Sequence, residues 1–201
     1  MINSEKFKND KYLKLEGLIS VDLCRIATKY ALLKEETEFS PETANEQVAN
    51  AHSVYSDTLM ETILHFLLPH MEKNTGLSLC PTYTYYRVYR PGMDLKPYID
   101  RESCEISTTV CLGFNYLGKN SDYRWGMYVH PNNLILQNPG DLIIYRGCEI
   151  SHWRDVFDAE YGSFQVQAFF HYIDKNGPFF PEFAYDKRPG IGWKLNNKTH
   201  K

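Results

Sequence analysis

The chain has 201 residues, with 22 basic and 25 acidic side chains and a formal net charge of −3. This length is enough for one globular domain that buries a core without disulfide or metal staples. The weak net acidity gives no reason to expect nucleic acid, and a mean hydropathy of −0.46 without a long apolar run excludes a membrane-spanning helix.

The N-terminus and the cysteines predict a reducing, cytoplasmic location. No apolar segment follows the charges of the first six residues, so we expect no secretory signal. The five cysteines are odd in number and include no close pair, which argues against a disulfide framework and a zinc ribbon. We expect Cys104 and Cys111 to be buried as small apolar residues. The basic segment 187–201 is expected to be a solvated tail.

The first part of the chain has a helical pattern. Ser20 can cap a helix in which apolar residues recur at helical spacing as far as Leu32. Residues 34–49, rich in Glu, are expected to form an exposed loop. A second helix is expected over about 56–73, and Pro69 should kink it or limit it.

From Pro81 onward the pattern is that of β-strands. Aromatic and β-branched residues form short runs between Pro and Gly turns, as in an antiparallel sandwich or barrel. The expected strands are 83–89, 106–114, 125–129, 133–137, 141–145, 151–156 and 164–173.

These elements predict a single α+β domain, mainly β with N-terminal helices, around a double-stranded β-helix or jelly-roll core. We divide the chain 1–201 into helical support over about 10–80, the jelly-roll core over about 81–175, and a tail over 176–201.

A pair of polar side chains stands out in segment 95–101. Residues two positions apart on a strand point to the same face, so Tyr98 and Asp100 are expected to project together. A Pro-Gly-Asp turn at 139–141, a buried strand and a second turn then lead to His152.

In this order the sequence resembles the iron(II)/2-oxoglutarate-dependent oxygenases, and within them the small prolyl-4-hydroxylase-like group. The residues that carry the resemblance are the turn at 89–92, Asp100 and His152. The resemblance implies that Asp100 and His152 are catalytic ligands of Fe(II), with 2-oxoglutarate as cosubstrate. It also implies a dioxygenase that hydroxylates a protein side chain or a small molecule.

Tyr98 stands where this family has its first metal-ligand histidine. A phenol binds metals well only as phenolate, which prefers ferric iron. Three interpretations follow. Tyr98, a water or another histidine completes the iron ligands; or the site is degenerate and the jelly roll is a binding scaffold; or the tyrosine is an isolated substitution in a working enzyme. A cupin-like protein with another metal is a further alternative.

The position of the family's carboxylate-binding arginine is also changed, because Gln165 and Gln167 occupy it. An amide cannot form the charge-assisted, bidentate pair of an arginine with a carboxylate. Arg154, two residues after the distal histidine, is the favoured replacement, and Arg87 is the second. Each of these residues has a structural alternative as a satisfied polar group or a surface-reaching arginine. Tyr89, on the face of Arg87, completes the expected cosubstrate site.

His171 shares the strand parity of Gln165 and Gln167, so it is the best placed replacement ligand. Its distance along the strand, however, is expected to carry it away from the iron. The expected partner is a small-molecule or peptide substrate, with no nucleic acid and no membrane. The identity of the substrate and the oligomeric state stay open.

Overall fold

A computed structural model describes residues 2–40 and 47–188. In that part of the chain the α-helices span Asn3–Asp10 (α1), Val21–Glu38 (α2) and Thr58–Thr75 (α3). The strands span Tyr12–Leu15 (β1), His52–Tyr55 (β2), Leu79–Tyr89 (β3), Leu95–Tyr98 (β4), Ile106–Asn115 (β5), Met127–Val129 (β6), Asn133–Ile135 (β7), Leu142–Arg146 (β8), His152–Arg154 (β9) and Phe164–Asp174 (β10). Short 3₁₀ turns lie at Glu102–Cys104 and Ala184–Lys187.

The strands form two antiparallel sheets that face each other. The larger sheet has the order β1-β8-β5-β10-β3-β2, and the smaller has the order β4-β9-β6-β7. Helices α2 and α3 pack on the outer face of the larger sheet, against β3, β5 and β10. The molecule therefore has three layers, and the interior between the two sheets is the jelly-roll cavity.

Alternation along the long strands separates an apolar face from a polar one. On β3, Tyr86 and Val88 belong to the core under the helices, whereas Tyr85 and Arg87 line a cavity between the sheets. On β10, Phe170 likewise faces the helices. The larger sheet thus supplies a hydrophobic core on one side and a polar interior on the other.

The helix ends follow the expected chemistry. The Ser20 side chain accepts a hydrogen bond from Leu23 N at 3.3 Å, and Asp57 caps α3 by accepting from Leu59 N at 2.9 Å. Gly76 ends α3 with φ of 73°, a left-handed conformation that favours glycine.

The structure corrects two expectations about the helices. Residues 34–38 belong to α2 and not to a loop, because Glu38 pairs with Lys34 one turn earlier at 2.9 Å. Pro69 does not limit α3, which continues to Thr75. Leu67 and Met71 flank the proline and are fully buried, and burial of two such side chains contributes about 3–6 kcal/mol, enough to offset the lost helical hydrogen bond.

The predicted mainly β architecture is confirmed, with boundaries shifted by a few residues. Sequence reasoning missed α1, β1 and β2, which are short and surround the predicted helices. Strand β4 ends at Tyr98, so Asp100 lies just beyond the strand and not on it. Residues 41–46 of the predicted loop and 189–201 of the predicted tail lie outside the described residues. No helix in the described part is long and apolar enough to cross a membrane.

Candidate functional site

Asp100 is fixed between the two sheets by its backbone and its side chain. Its N–H donates to the carbonyl of Gly147 at 2.8 Å, and its Oδ2 accepts from the Ser107 hydroxyl at 2.9 Å. A Cβ on residue 147 would lie 2.3 Å from Asp100 Oδ2. Only glycine at position 147 therefore allows the carboxylate to take this place.

His152 faces Asp100 from β9, directly opposite Tyr98 on β4. Its Nδ1 lies 3.1 Å from the Ile150 carbonyl oxygen, which can only accept, so we assign the ring proton to Nδ1. Nε2 then carries a lone pair, lies 3.6 Å from Asp100 Oδ1, and has no hydrogen-bond partner among the described residues. Two acceptors that face each other in a buried space suit a metal cation.

The charge state of Asp100 supports the same interpretation. Burial would raise the pKa of its carboxyl group, but interactions with the surrounding polar groups, among them the hydrogen bond from the Ser107 hydroxyl, outweigh burial and hold that pKa below its usual value. The carboxylate is therefore ionised at neutral pH although its side chain is only 6% exposed. A buried anion beside a nitrogen lone pair can bind a divalent cation.

Tyr98 lies beside this pair as a packed ring. Its centroid is 4.4 Å from that of His152, and Tyr145 packs on the same imidazole at 4.6 Å. Burial and the Asp100 charge raise the pKa of Tyr98 well above its usual value, and the hydroxyl interacts with Gln47. The side chain is thus a neutral phenol at neutral pH, which is a poor metal ligand.

Arg154 lies in the same interior, as its spacing from His152 predicts, and is 1% exposed. Its Nη1 donates to the Trp125 carbonyl at 2.9 Å, and its guanidinium lies 5.1 Å from the centre of the Trp125 ring. Its Nε has no hydrogen-bond partner, and within the described residues no carboxylate pairs with it. The guanidinium can therefore accept an anionic ligand.

Gln165 and Gln167 belong to a polar network that reaches Arg154. Gln165 Nε2 donates to Gln167 Oε1 at 3.0 Å, and Gln167 Nε2 donates to Gln137 Oε1 at 3.0 Å. Arg154 Nη2 lies 3.4 Å from that same Gln137 oxygen. The structure thus brings both predicted glutamines to the predicted arginine, and Gln137 is a member that sequence reasoning missed.

Arg87 and Tyr89 occupy a neighbouring part of the interior. Arg87 Nη1 donates to the Tyr89 hydroxyl at 3.1 Å, and its Nε donates to the Ser53 hydroxyl at 3.0 Å. The Tyr89 ring packs edge-on against Trp125 at 4.9 Å. Both predicted residues are buried. Tyr89 contacts Arg87 through its hydroxyl and Trp125 through its ring, and Trp125 in turn contacts Arg154.

A cavity of about 260 Å³ opens on the other side of Asp100. Arg87, Tyr98 and Asp100 line it, together with Gln47, Tyr83, Tyr85, Ile99, Arg101, Cys104, Phe169 and His171. His152 and Arg154 are not among the residues that line it. The cavity therefore gives access to one side of the Asp100 carboxylate.

Cys104 is buried, as expected from the sequence, and it lies with His171 next to Asp100. A ring nitrogen of His171, the Cys104 Sγ and an oxygen of Asp100 all lie within 4.8 Å of one another. β10 pairs with β5 in a register that places His171 opposite Ser107, the residue bonded to Asp100, so His171 lies near this carboxylate, in a group that does not include His152. The strand parity of His171 was the usable signal.

Comparisons with known proteins give similarity in structure only. No family model matches the sequence, and no curated protein matches it closely. A prolyl-4-hydroxylase from Pseudomonas putida is 14% identical with a TM-score of 0.64, covering 84% of this chain and 96% of its own. The epimerase SnoN of nogalamycin biosynthesis, which is non-heme and alpha ketoglutarate dependent, is 12% identical with a TM-score of 0.68, covering 94% and 89%.

A prolyl hydroxylase from Trichoplax adhaerens, solved with a peptide of hypoxia inducible factor, is 11% identical with a TM-score of 0.62 and covers 87% of this chain and 88% of its own. The chain has the fold of the iron(II)/2-oxoglutarate oxygenases. This oxygenase fold confirms the expected jelly roll. At such low identity it leaves the reaction and the ligand residues to be argued from the site itself.

Proposed function

We propose that the protein is an iron(II)- and 2-oxoglutarate-dependent dioxygenase that hydroxylates a protein side chain or a small molecule. The observation that carries this proposal is the buried pair of Asp100 Oδ1 and His152 Nε2, 3.6 Å apart with no proton between them in the assigned tautomer. Such a pair fits a divalent metal, which Asp100 and His152 would hold. The oxygenase fold supports the choice of iron and of 2-oxoglutarate.

Bound iron and 2-oxoglutarate together would activate dioxygen for hydroxylation. The chain's own residues position and protect this chemistry. The Ile150 carbonyl holds the His152 ring in one tautomer, and Gly147 lets the Asp100 carboxylate approach. The rings of Tyr98 and Tyr145 exclude water from the imidazole.

Arg154 would bind the distal carboxylate of the cosubstrate. The guanidinium is buried without a carboxylate partner among the described residues, and its Nε is free to donate. Burial lowers the pKa of Arg154, so an anion beside it is stabilising. The adjacent amides of Gln137 and Gln167 can supply further hydrogen bonds.

The cavity beside Asp100 would receive the substrate. Aromatic side chains form much of its wall, and Arg87 and Arg101 add positive charge. The similar hydroxylase from Trichoplax adhaerens was solved with a peptide, whereas SnoN is an epimerase of nogalamycin biosynthesis. Both kinds of substrate are compatible with this proposal.

Anaerobic titration with Fe(II) and 2-oxoglutarate tests the proposal. We expect a visible metal-to-ligand charge-transfer band that saturates at one equivalent, because the cosubstrate chelates the metal. The band should be absent from His152→Gln, which keeps an amide of similar size but loses the imidazole ligand. Absence of the band from the unmodified protein, at millimolar concentrations of both ligands, would contradict the proposal.

The role of Arg154 is tested in the same titration. Arg154→Gln should weaken 2-oxoglutarate binding by about a hundredfold, as for loss of a charge-assisted pair of up to about 3 kcal/mol, with Fe(II) binding nearly unchanged. Arg124→Gln is the matched control, because Arg124 binds Asn138 at the surface. Equal cosubstrate affinity in both variants would remove Arg154 from the proposed site.

A further inference from the structure

We propose that Asp100, Cys104 and His171 form a second metal site, suited to zinc, which shares the Asp100 carboxylate with His152. The proposal goes beyond the dioxygenase function, because this set includes a thiol and lies on the cavity side of Asp100. His152 is not part of the group whose ligand atoms lie within 4.8 Å of one another.

The geometry is close to that of a zinc site. Zinc bonds of about 2.0–2.3 Å in a tetrahedral arrangement place neighbouring ligand atoms about 3.5 Å apart. The three ligand atoms are within 4.8 Å of one another, so side-chain rotations that bring them about 1 Å closer complete the arrangement. Cys104 ends the 3₁₀ turn at Glu102–Cys104, Asp100 lies two residues before that turn, and His171 lies on β10. The Ser107 side chain is within hydrogen-bond distance of all three residues.

Neighbouring hydroxyl groups orient two of these ligands. The Ser107 hydroxyl lies 2.8 Å from His171 Nδ1, and its single proton can go to Asp100 Oδ2 at 2.9 Å or to the Cys104 carbonyl at 3.0 Å. When it does so, its oxygen accepts from Nδ1–H and fixes the orientation of the imidazole ring. The Tyr83 hydroxyl lies 3.0 Å from Cys104 Sγ and can donate to a thiolate. Such outer contacts commonly support metal ligands.

The cavity gives this site an entry path and an open coordination position. All three ligand residues line the same cavity of about 260 Å³. Three protein ligands with one open position are typical of catalytic zinc sites. A thiolate, an imidazole and a carboxylate together suit zinc better than the pair of Asp100 and His152, which has no thiolate. Cys104 is a free thiol, so it is able to ligate.

The shared carboxylate predicts competition between the two metals. A zinc ion on the cavity side would draw Asp100 away from His152, and iron between Asp100 and His152 would draw it away from Cys104. Zinc is therefore expected to weaken Fe(II) binding.

Cobalt(II) is the probe for this site, because a thiolate bound to cobalt gives a strong near-ultraviolet charge-transfer band. We expect that band in the unmodified protein at one equivalent of cobalt, and also in Cys148→Ser, which removes a partly exposed thiol outside the group. Cys104→Ser should lose the band and bind cobalt at least about tenfold more weakly. His152→Gln should keep the band.

A measurement without mutation covers the case in which Cys104→Ser fails to fold. Zinc-edge X-ray absorption of the unmodified protein with one equivalent of zinc should show a sulfur neighbour at about 2.3 Å, and Cys148→Ser should show the same neighbour. No thiolate band in the unmodified protein, a band that survives Cys104→Ser, or bound zinc without a sulfur neighbour would overturn the proposal.

The result is separable from the test of the dioxygenase function. The iron and 2-oxoglutarate band depends on His152, whereas the thiolate band depends on Cys104. A thiolate band without the iron band supports the zinc site and refutes the dioxygenase, and the reverse pattern does the opposite.

Discussion

The two sides of the Asp100 carboxylate differ in the side chains that surround them and in their access to a cavity. On the closed side, defined by His152, Tyr98 and Tyr145, an imidazole lies between two phenol rings and its Nε2 lacks a hydrogen-bond partner among the described residues. On the open side, defined by Cys104 and His171, the ligand atoms face a cavity.

This difference shows that two properties are independent in this fold: which side chains are present to bind a metal, and whether a metal can reach them from a cavity. The closed side has the imidazole and carboxylate that we propose to hold iron, and the Tyr98 phenol lies opposite His152 on the neighbouring strand. The open side has three ligand types and an entry path, but not the residue pattern of the oxygenases. Asp100 belongs to both sides, so a change that moves it affects both.

The largest effect is expected from Gly147→Ala, which should disturb the metal ligands on both sides of the Asp100 carboxylate. The new Cβ would lie 2.3 Å from Asp100 Oδ2 and 2.3 Å from the Cys104 carbonyl oxygen. The backbone oxygen cannot move freely, so we expect a loss of about 1–3 kcal/mol in the free energy of unfolding, measured in urea. Both the iron and the cobalt bands should also disappear.

Gly177→Ala is the control for this change. A Cβ there meets only the end of the Glu105 side chain and atoms of Asp174, at 3.0 Å or more. It should keep both metal bands. Equal behaviour of the two alanine variants would mean that Gly147 does not position Asp100.

An intermediate effect is expected from Tyr98, and it separates the two sides. Tyr98→His adds an imidazole and removes the ring that covers His152, so Fe(II) affinity should rise at least about tenfold. Tyr98→Phe keeps the ring and removes the hydroxyl, and it should bind Fe(II) like the unmodified protein. Calorimetric titration under argon measures both affinities. A large loss of affinity in Tyr98→Phe would show instead that the phenol is a ligand.

The smallest effect concerns His52, a buried histidine that belongs to neither side and serves as a reference for both. Burial lowers the pKa of His52 below its usual value, against the attraction of Glu35 and Glu38. The folded protein therefore keeps this ring neutral, while the unfolded chain binds a proton as the pH falls below about 6.5. Its contribution to stability is complete above that pH and is lost below it.

His52→Gln should accordingly flatten the decline of the free energy of unfolding between pH 7 and pH 5. The change in slope cannot exceed about 1.4 kcal/mol per pH unit for one proton. His65→Gln, on the exposed face of α3, is the matched control for removal of a histidine. An unchanged slope in His52→Gln, measured by urea unfolding at both pH values, would refute the effect.

Much of the fold was predictable because local patterns determine it. Ser20 caps its helix as expected, and the strand alternation separates the core from the interior on β3 and β10. The failures have a tertiary cause. Pro69 is tolerated because its neighbours are buried, and β1 exists because it pairs with β8, more than a hundred residues away.

Sequence reasoning could predict only those residues of the candidate site that lie two positions apart along the chain or that match the motif of the oxygenase family. Asp100, His152 and Arg154 belong to that class, and the structure brings them into one interior. Cys104 and His171 are 67 positions apart, and only the pairing of β5 with β10 and a short 3₁₀ turn bring them to Asp100. Sequence spacing contains no information on cross-strand register.

The position of β10 has a consequence for the order in which the protein is built. The last strand of the described residues, β10, lies between β3 and β5, which do not pair with each other. During synthesis, therefore, the larger sheet stays divided until Asp174 has left the ribosome, and the interior edges of β3 and β5 remain unpaired until then. Folding is completed by long-range pairing, which makes it slow compared with that of a helical protein of equal length. His171 arrives with that strand, so the open side of the carboxylate forms only in the final step.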